Sequence, residues 1–492
     1  MNRAAVTKTI RRLHSVPILL AACGWIILAT NGCMVGPDFH PPHPDAPASW
    51  TGVTEAPAAQ PSVPTAQPAE LAQWWGQFND PMLTTLVEEA LKTNLDVELT
   101  IARLRQARAA QGIAIAGLWP TVNGSAGFQR ERPAHAPDGT SQTQNLYQAG
   151  FDAVWELDLF GGQRRNIESA EANTRAAIEG IRDAQVTLVS EVALDYIQLR
   201  GSQQEIVIAR NNLKAQQDTL EITRQRATVG FNSALDIANA EANVAATEAQ
   251  IPVYETSARQ SIYALSVLLA KPPAELLDRL APAGDLPGVP ARIPAGLPSD
   301  LLRRRADVRQ AEAQVHAATA QIGVATAALF PQFTLTGTLG WQSSQLSTFL
   351  SGSGRTESFG PSVSWQIFQG GAIVSNIHVQ EALRDQAFIT YRKTVLSAFQ
   401  DVENALIAFT KEQQHFQSLQ DSVVANAKAV DLSLTLYTEG LLDFLNVLIA
   451  ERSLYTAEDA LVQSRSNIAT DLISLYKALG GGWETIPADT DK

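Results

Sequence analysis

Tyr147-Gln148-Ala149-Gly150-Phe151-Asp152-Ala153-Val154-Trp155-Glu156-Leu157 reads as a strand with two unlike faces. Side chains alternate across a strand with period two. Tyr147, Ala149, Phe151, Ala153, Trp155 and Leu157 therefore share one face, opposite Gln148, Gly150, Asp152, Val154 and Glu156. The pattern returns twice downstream. Phe333, Leu335, Gly337, Leu339 and Trp341 alternate with Thr334, Thr336, Thr338 and Gly340. Phe359, Val363, Trp365 and Ile367 alternate with Ser358, Gly360, Ser362, Ser364 and Gln366. A weaker strand, Val122 to Phe128, precedes the first. Each is close to the ~9–11 residues that cross a membrane as tilted β structure. Apolar-out, polar-in alternation with aromatic ends is the transmembrane barrel pattern. Four strands cannot close a barrel, and a bilayer tolerates no open sheet edge. The chain must therefore pack its sheet in water or share a barrel with copies of itself. The stretches 130–145 and 342–357, rich in Gly, Ser and Thr, fit exposed hairpin tips.

Working outward, the strands sit inside a repeat of about 210 residues. Leu118-Trp119-Pro120 is answered by Leu329-Phe330-Pro331. Trp155 with Phe160-Gly161-Gly162 is answered by Trp365 with Phe368 and Gly370-Gly371. Gly230, Leu235, Ala240 and Glu241 are answered by Gly440, Leu445, Ala450 and Glu451. Each copy reads as a helix, two strands and two very long helices. A first helix starts at Asp80-Pro81 and stops at Pro120. The runs Gly162–Gly230 and Gly371–Glu439 contain no proline and are dominated by good helix formers. A continuous helix of that length extends roughly 100 Å. Each run reverses at Gly230 or Gly440 and returns through 233–270 or 442–479. Such hairpins are too long for a compact globule, and their charges exclude a membrane-spanning helix. Their apolar stripe is thin and built of small residues, as at Ala306, Val308, Ala311, Val315, Ala318 and Ile322. Two arrangements follow: a solid four-helix stalk, or the wall of a hollow cylinder with a wet, polar interior.

The N-terminus carries a basic segment, Arg3, Lys8, Arg11 and Arg12, then an apolar run from Val16 to Ala29. That run is too short for a transmembrane helix and reads as a signal peptide over 1–32. It leads into Thr30-Asn31-Gly32-Cys33, which looks like a lipoprotein signal that would leave Cys33 as the acylated first residue. A plain secretory signal with an incidental Cys33 is the alternative. Cleavage removes four basic and no acidic residue, taking the formal charge from −13 to about −17. Cys23 would be lost with the signal, so neither a disulfide framework nor a cysteine metal site is expected. The Pro- and Ala-rich stretch that follows reads as an extended tether. His40 and His43 lack a third ligand nearby, so no metal is expected there.

A chain this acidic, with no strongly basic domain, is a poor partner for nucleic acid. There is no HExxH run, Walker loop or dinucleotide fingerprint, and Gly352-Ser353-Gly354 lacks nucleophile-elbow spacing. His316, His378 and His415 stand alone in helical stretches, and Arg303-Arg304-Arg305 has Asp300 and Asp307 to pair with. An enzyme is not expected. The competing non-enzymatic reading is a periplasmic structural lipoprotein, a coiled-coil spacer or adaptor, which would not need membrane-length strands.

Four stretches carry a family resemblance: Gly32-Cys33-Met34-Val35-Gly36-Pro37-Asp38-Phe39, Trp74-Trp75-Gly76-Gln77-Phe78-Asn79-Asp80-Pro81, Leu302-Arg303-Arg304-Arg305-Ala306-Asp307-Val308-Arg309, and Leu475-Tyr476-Lys477-Ala478-Leu479-Gly480-Gly481-Gly482-Trp483. They resemble the outer membrane factor lipoproteins, TolC-like outer membrane efflux proteins of the NodT/OprM-type branch. That family usually has proline where Ala306 stands. The resemblance implies a mixed α/β membrane protein. Four strands per protomer of a homotrimer would build a shared twelve-stranded transmembrane β-barrel, continued by a long periplasmic α-helical barrel. It implies a passive duct without cofactor beyond the lipid on Cys33. The duct would dock onto a periplasmic adaptor (membrane fusion) protein and an inner-membrane pump of the proton-driven RND class or a related one. Met34, where lipoproteins kept at the inner membrane carry Asp, directs it to the outer membrane and its lipid.

The layout then expected is 1–32 signal peptide, 33–79 tether, 80–119 first helix, 120–160 strands one and two, and 161–270 first hairpin. It continues with 271–299 equatorial linker, 300–330 helix, 331–369 strands three and four, 370–479 second hairpin, and 480–492 C-terminal tail. By resemblance the duct closes near the second hairpin turn. Leu445 matches a narrowing leucine ring, and Tyr437 and Arg452 match a network that keeps the tip shut. Ile449 replaces an acidic ring residue, so closure by Leu445 and Ile449 would proceed by packing and dewetting. Asp443 or Glu451 would partner Arg452.

Overall fold

The computed structural model describes residues 34–54, 62–65, 71–132 and 143–484. The signal segment 1–32, the lipidation site Cys33, parts of the tether and the last eight residues lie outside them. After a helical turn at Thr51–Thr54, strand β1 (Val63–Thr65) pairs in parallel with β4 (Arg292–Pro294). The main sheet is β2 (Thr121–Glu131), β3 (Gln144–Leu157), β5 (Gln332–Ser343) and β6 (Arg355–Ser364), antiparallel in the order β2-β3-β5-β6. Besides a single turn at Leu277–Leu280, the helices that follow are α1 (Pro81–Thr93), α2 (Leu95–Ala116), α3 (Gly162–Thr228), α4 (Ala234–Leu268), α5 (Pro298–Arg304), α6 (Ala306–Ala327), α7 (Ala372–Thr438) and α8 (Phe444–Ala478). Among the described residues no helix is long and apolar enough to cross a membrane.

The sheet register sorts the strand residues into two faces. One row runs Gly124, Phe151, Leu339, Glu357, and the next Val122, Ala153, Gly337, Phe359. The opposite face carries Asn123, Asp152, Thr338 and Ser358 in one row, with the Asn123 amide donating to Asp152 at 3.2 Å. Phe151 and Phe359 are exposed on the apolar face. Among the described residues, strands β2 and β6 each leave one edge without a partner. The first and weakest strand is longer than its alternation suggests, reaching Glu131. The fourth is shorter: β6 ends at Ser364, so Trp365 and Ile367 lie beyond it. Trp365 instead donates its indole N–H to the Leu329 carbonyl at 3.1 Å, as Trp155 does to Leu118 at 2.8 Å. This shared bond is the physical content of the repeated Leu-aromatic-Pro and Trp signals. It ties the end of β3, and the residue just past β6, to a carbonyl in the turn that follows α2 or α6.

The expected first helix is broken. Asn94 leaves helical geometry, and its side-chain oxygen accepts from the Asp96 and Val97 amides, capping α2. Asp80 caps α1 through the Met82 and Leu83 amides, and its other oxygen accepts from the Tyr196 hydroxyl at 2.7 Å.

The chain divides into two compact units, and α3 and α7 contribute to both. The first holds residues 1–42, 104–176 and 311–391. In it the sheet is joined by helix ends around Arg165, which is 1% exposed and held by Asp38 and Glu168. His316 stacks on Phe39 and meets Glu168 at 2.9 Å, a structural role. The second unit holds 43–103, 177–310 and 392–492. Its largest buried side chains include Trp74, Phe78 and Tyr476. The triple arginine is a structural cluster. Arg303 pairs with Asp300, Arg304 with Glu484, and Arg305 with Asp307 and Asp401.

Candidate functional site

The two hairpin turns use one backbone device. Gly230 (φ 83°) and Gly440 (φ 77°) sit in the left-handed region, where glycine carries no Cβ penalty. The Phe231 amide reaches back to the Arg226 carbonyl and the Leu441 amide to Leu436, both at 2.9 Å, closing Schellman-type ends. The copies then diverge. Ser233 and Asp236 form a reciprocal capping box on α4, while Asp443 at the matching position of α8 makes no side-chain cap. Behind the turns Leu220, Ala240, Tyr437, Phe444, Val447 and Leu448 form one buried apolar cluster that locks α3, α4, α7 and α8 together.

A polar network lies across this cluster. The half-buried Arg226 guanidinium sits 4.7 Å from the Tyr437 ring centre and 5.7 Å from that of Phe231. It donates to the Thr438 carbonyl at 2.9 Å and to Asn232 at 3.2 Å. One arginine of the first hairpin thereby clamps the turn of the second. The Tyr437 hydroxyl donates to Thr223 at 3.2 Å. A step further from the turns, Glu451 is 7% exposed; it accepts from the Thr219 hydroxyl at 2.6 Å and from the Asn243 amide at 3.4 Å. Arg452 donates to the Asn243 carbonyl oxygen at 3.0 Å.

Burial pushes the Glu451 carboxyl above the ordinary glutamate range, against the two hydrogen bonds that favour its charge. A carboxyl raised on folding stabilises the protein while it stays protonated. That contribution is lost as pH rises from the unfolded value through the folded one. Glu451→Gln is therefore expected to flatten the pH dependence of hairpin stability above the normal glutamate range. It should also raise stability at neutral pH, measured as the thermal midpoint of assembled protein from pH 4 to 8. A wild-type-like pH profile in the variant would disprove this role.

The residues singled out from the sequence separate into two groups. Tyr437 and Glu451 are buried in the network, and Arg452 lies at its edge. Arg452 bonds Asn243, not Asp443 or Glu451. Asp443 is exposed, makes no side-chain cap, and belongs to no ion pair recorded among the described residues. Leu445 and Ile449 are 57% and 55% exposed, on the side of α8 away from Phe444, Val447 and Leu448. They are not seam residues within the chain. Arg226, Thr219, Thr223 and Asn243 were missed. The one sequence signal for Arg226 was its place four residues before Gly230, in the last turn of a helix, where a cation suits the helix dipole. No cluster of His, Cys, Asp and Glu that could hold a metal occurs among the described residues.

The profile of the outer membrane efflux protein family matches residues 86–271 and 297–481, one block for each copy of the repeat. Nodulation protein T of Rhizobium leguminosarum bv. viciae is 34% identical over 480 residues, 96% of this chain and 94% of its own. The toluene efflux pump outer membrane protein TtgF of Pseudomonas putida is 32% identical over 468 residues, 93% of this chain and 96% of its own. The solved outer-membrane channel OprN superposes with a TM-score of 0.86 at 36% identity, covering 92% of this chain and all of that one.

Proposed function

The chain belongs to the outer membrane efflux protein family, and from that premise we propose that it is the outer-membrane exit duct of a tripartite efflux system. The observation that carries this is the four-stranded sheet, apolar on one face, polar on the other and open at both edges. An open edge in a bilayer leaves unpaired backbone groups, each costing several kcal/mol. Three copies, joining β6 of one to β2 of the next, close twelve strands with the polar face inward. The long hairpins continue the wall into the periplasm. A periplasmic adaptor and an inner-membrane pump of the RND class supply the cargo and the energy, while the duct is passive. The names of two relatives, one a nodulation protein and one a toluene efflux component, speak for a duct indifferent to cargo.

Cys33 carries the lipid anchor in this reading. Support comes from the residue that follows it by two: the Val35 amide donates to the Phe160 carbonyl at 3.1 Å, just beyond the end of β3. An acyl chain on Cys33 would thus start near the membrane boundary.

The gate is the second hairpin turn. Leu445 and Ile449, free of partners in the seam, present an apolar pair that threefold symmetry would gather into a dewetted constriction. Tyr437, Glu451 and Arg452 belong to the hydrogen-bonded network that braces it, while Asp443 opens α8 outside that network. The test is direct. Outer membranes run without boiling should give a heat-sensitive trimer with a β signal, and a soluble, purely helical monomer would refute the duct. In planar bilayers, Leu445→Ser with Ile449→Ser should raise conductance. Unchanged conductance would remove these two residues from the gate.

A further inference from the structure

Ionised side chains are nearly absent from the apolar face of the sheet, and those it has gather at one end. Arg130 stands two residues beyond Phe128 on β2, and Phe128 packs on Tyr147 with ring centres 4.9 Å apart. On β6, Arg355 lies opposite Trp341 and Glu357 opposite Leu339, and the two charges pair at 2.7 Å. All three lie toward the β2–β3 and β5–β6 hairpin connections, away from the long helices. Below them the face is notched. Ala153 and Gly337 are register partners with little or no side chain, between Phe151 and Leu339 above and Trp155 and Leu335 below, with Phe359 at the margin. The notch is an open cavity lined by Phe151, Gly337, Leu339, Arg355, Glu357 and Phe359.

A bare charge on a lipid-facing surface is costly unless it meets a polar partner at the interface. Glu357 satisfies one guanidinium nitrogen of Arg355 and leaves other donors of that fork available. Arg130 is exposed. Phe128 and Tyr147 in one row and Trp341 in the next form an aromatic girdle at this end, where headgroups begin.

We propose that this notch is a binding site for the phosphorylated, acylated glycolipid of the outer leaflet. An acyl chain would lie over Ala153 and Gly337, and separate headgroup phosphates would accept from Arg355 beside the notch and from Arg130 on the opposite edge strand. Arginine suits this task because its planar fork matches phosphate. The end that holds the site decides the source. If the helices are periplasmic, the hairpin connections face outward, and the outward leaflet of a double-membrane bacterium is built of such glycolipid. The inference rests on the duct reading for that orientation.

The test uses the purified, delipidated trimer, titrated with bisphosphorylated lipid A, dephosphorylated lipid A or phosphatidylglycerol and read by native mass spectrometry. Lipid A should bind in preference to the other two. Arg130→Ala with Arg355→Ala should weaken it roughly tenfold, the loss expected for charge-assisted hydrogen bonds. Gly337→Leu should weaken both lipid A forms alike, by filling the notch and not by touching charge. A Cβ at Gly337 meets Phe359 at 3.6 Å and a carbonyl oxygen at 3.9 Å, ordinary van der Waals distances, so a side chain there starts without a backbone clash. Arg355→Lys, which keeps the charge, should fall between. Lipid A binding unchanged in both the arginine and glycine variants overturns the site, and equal affinity for phosphatidylglycerol overturns the glycolipid assignment. Failure of the unmodified protein to form a heat-sensitive trimer is a separate result, which refutes the duct reading beneath it.

Discussion

Arg226→Ala is expected to open the duct. Its guanidinium contributes a cation–π contact to Tyr437, worth about 0.5–2 kcal/mol, and a charge-assisted bond to the Thr438 carbonyl, worth about 1.5–3 kcal/mol. These contacts join the two hairpins of one chain across 212 residues of sequence. They hold the turn that carries Leu445. If an opened state lacks them, losing them shifts the closed-to-open equilibrium by roughly 2–3 kcal/mol, about 30- to 150-fold in population. Single-channel recording should show a larger mean conductance and longer open dwell times. Arg226→Lys keeps a charge but loses the flat fork that stacks on the ring, so it should fall between. The apolar cluster of Leu220, Phe444, Val447 and Leu448 is untouched, so the thermal midpoint should move little by comparison. A conductance equal to that of the unmodified protein would mean that Arg226 only braces a static turn.

The contrast between Arg226 and the strands shows what a sequence displays. Strand faces are written locally: every second residue from Tyr147 to Leu157 meets the same solvent, so the period is visible without any partner. The repeat is legible for a similar reason. Trp155 and Trp365 perform the same hydrogen bond in two copies, and two copies of one constraint stand out against a varied background. The break at Asn94 had its signal in Asn94-Leu95-Asp96-Val97, a polar cap before a new helical start, but apolar spacing on both sides concealed it. The network at the turns had no such signal. Thr219, Asn243 and Glu451 meet across more than 200 residues, and nothing in the local pattern of any of them marks the meeting. Family resemblance pointed to Tyr437 and Arg452, yet not to their partners. Charge and nearness in sequence point to Asp443 and Glu451, whereas the Arg452 side chain reaches a neutral amide on another helix.

Trp74→Ala should produce the largest loss of stability, and Trp74→Phe far less. Trp74 is fully buried, stacked on Tyr476 at 5.1 Å and edge-on to Trp75 and Phe78 at 6.0 and 6.1 Å. Gly481 backs onto it so closely that a Cβ there would come within 3.1 Å of the indole. The Tyr476 hydroxyl donates to Gln77 at 2.6 Å, which ties the C-terminal end of α8 to the 3-10 turn before α1. Removing the ring leaves a cavity where these segments meet. A truncation of this kind costs about 3–5 kcal/mol. The assembled protein should lose its trimeric form at a markedly lower temperature and become open to proteases near residues 71–80. The phenylalanine variant separates packing from polarity. The Trp74 indole N–H is buried with no hydrogen-bond partner among the described residues, so exchanging indole for phenyl gives up volume but none of the hydrogen bonds described. Its loss should be less than half that of the alanine variant. Equal losses for the two would show that the indole N–H, and not the area of the ring, holds the chain ends together.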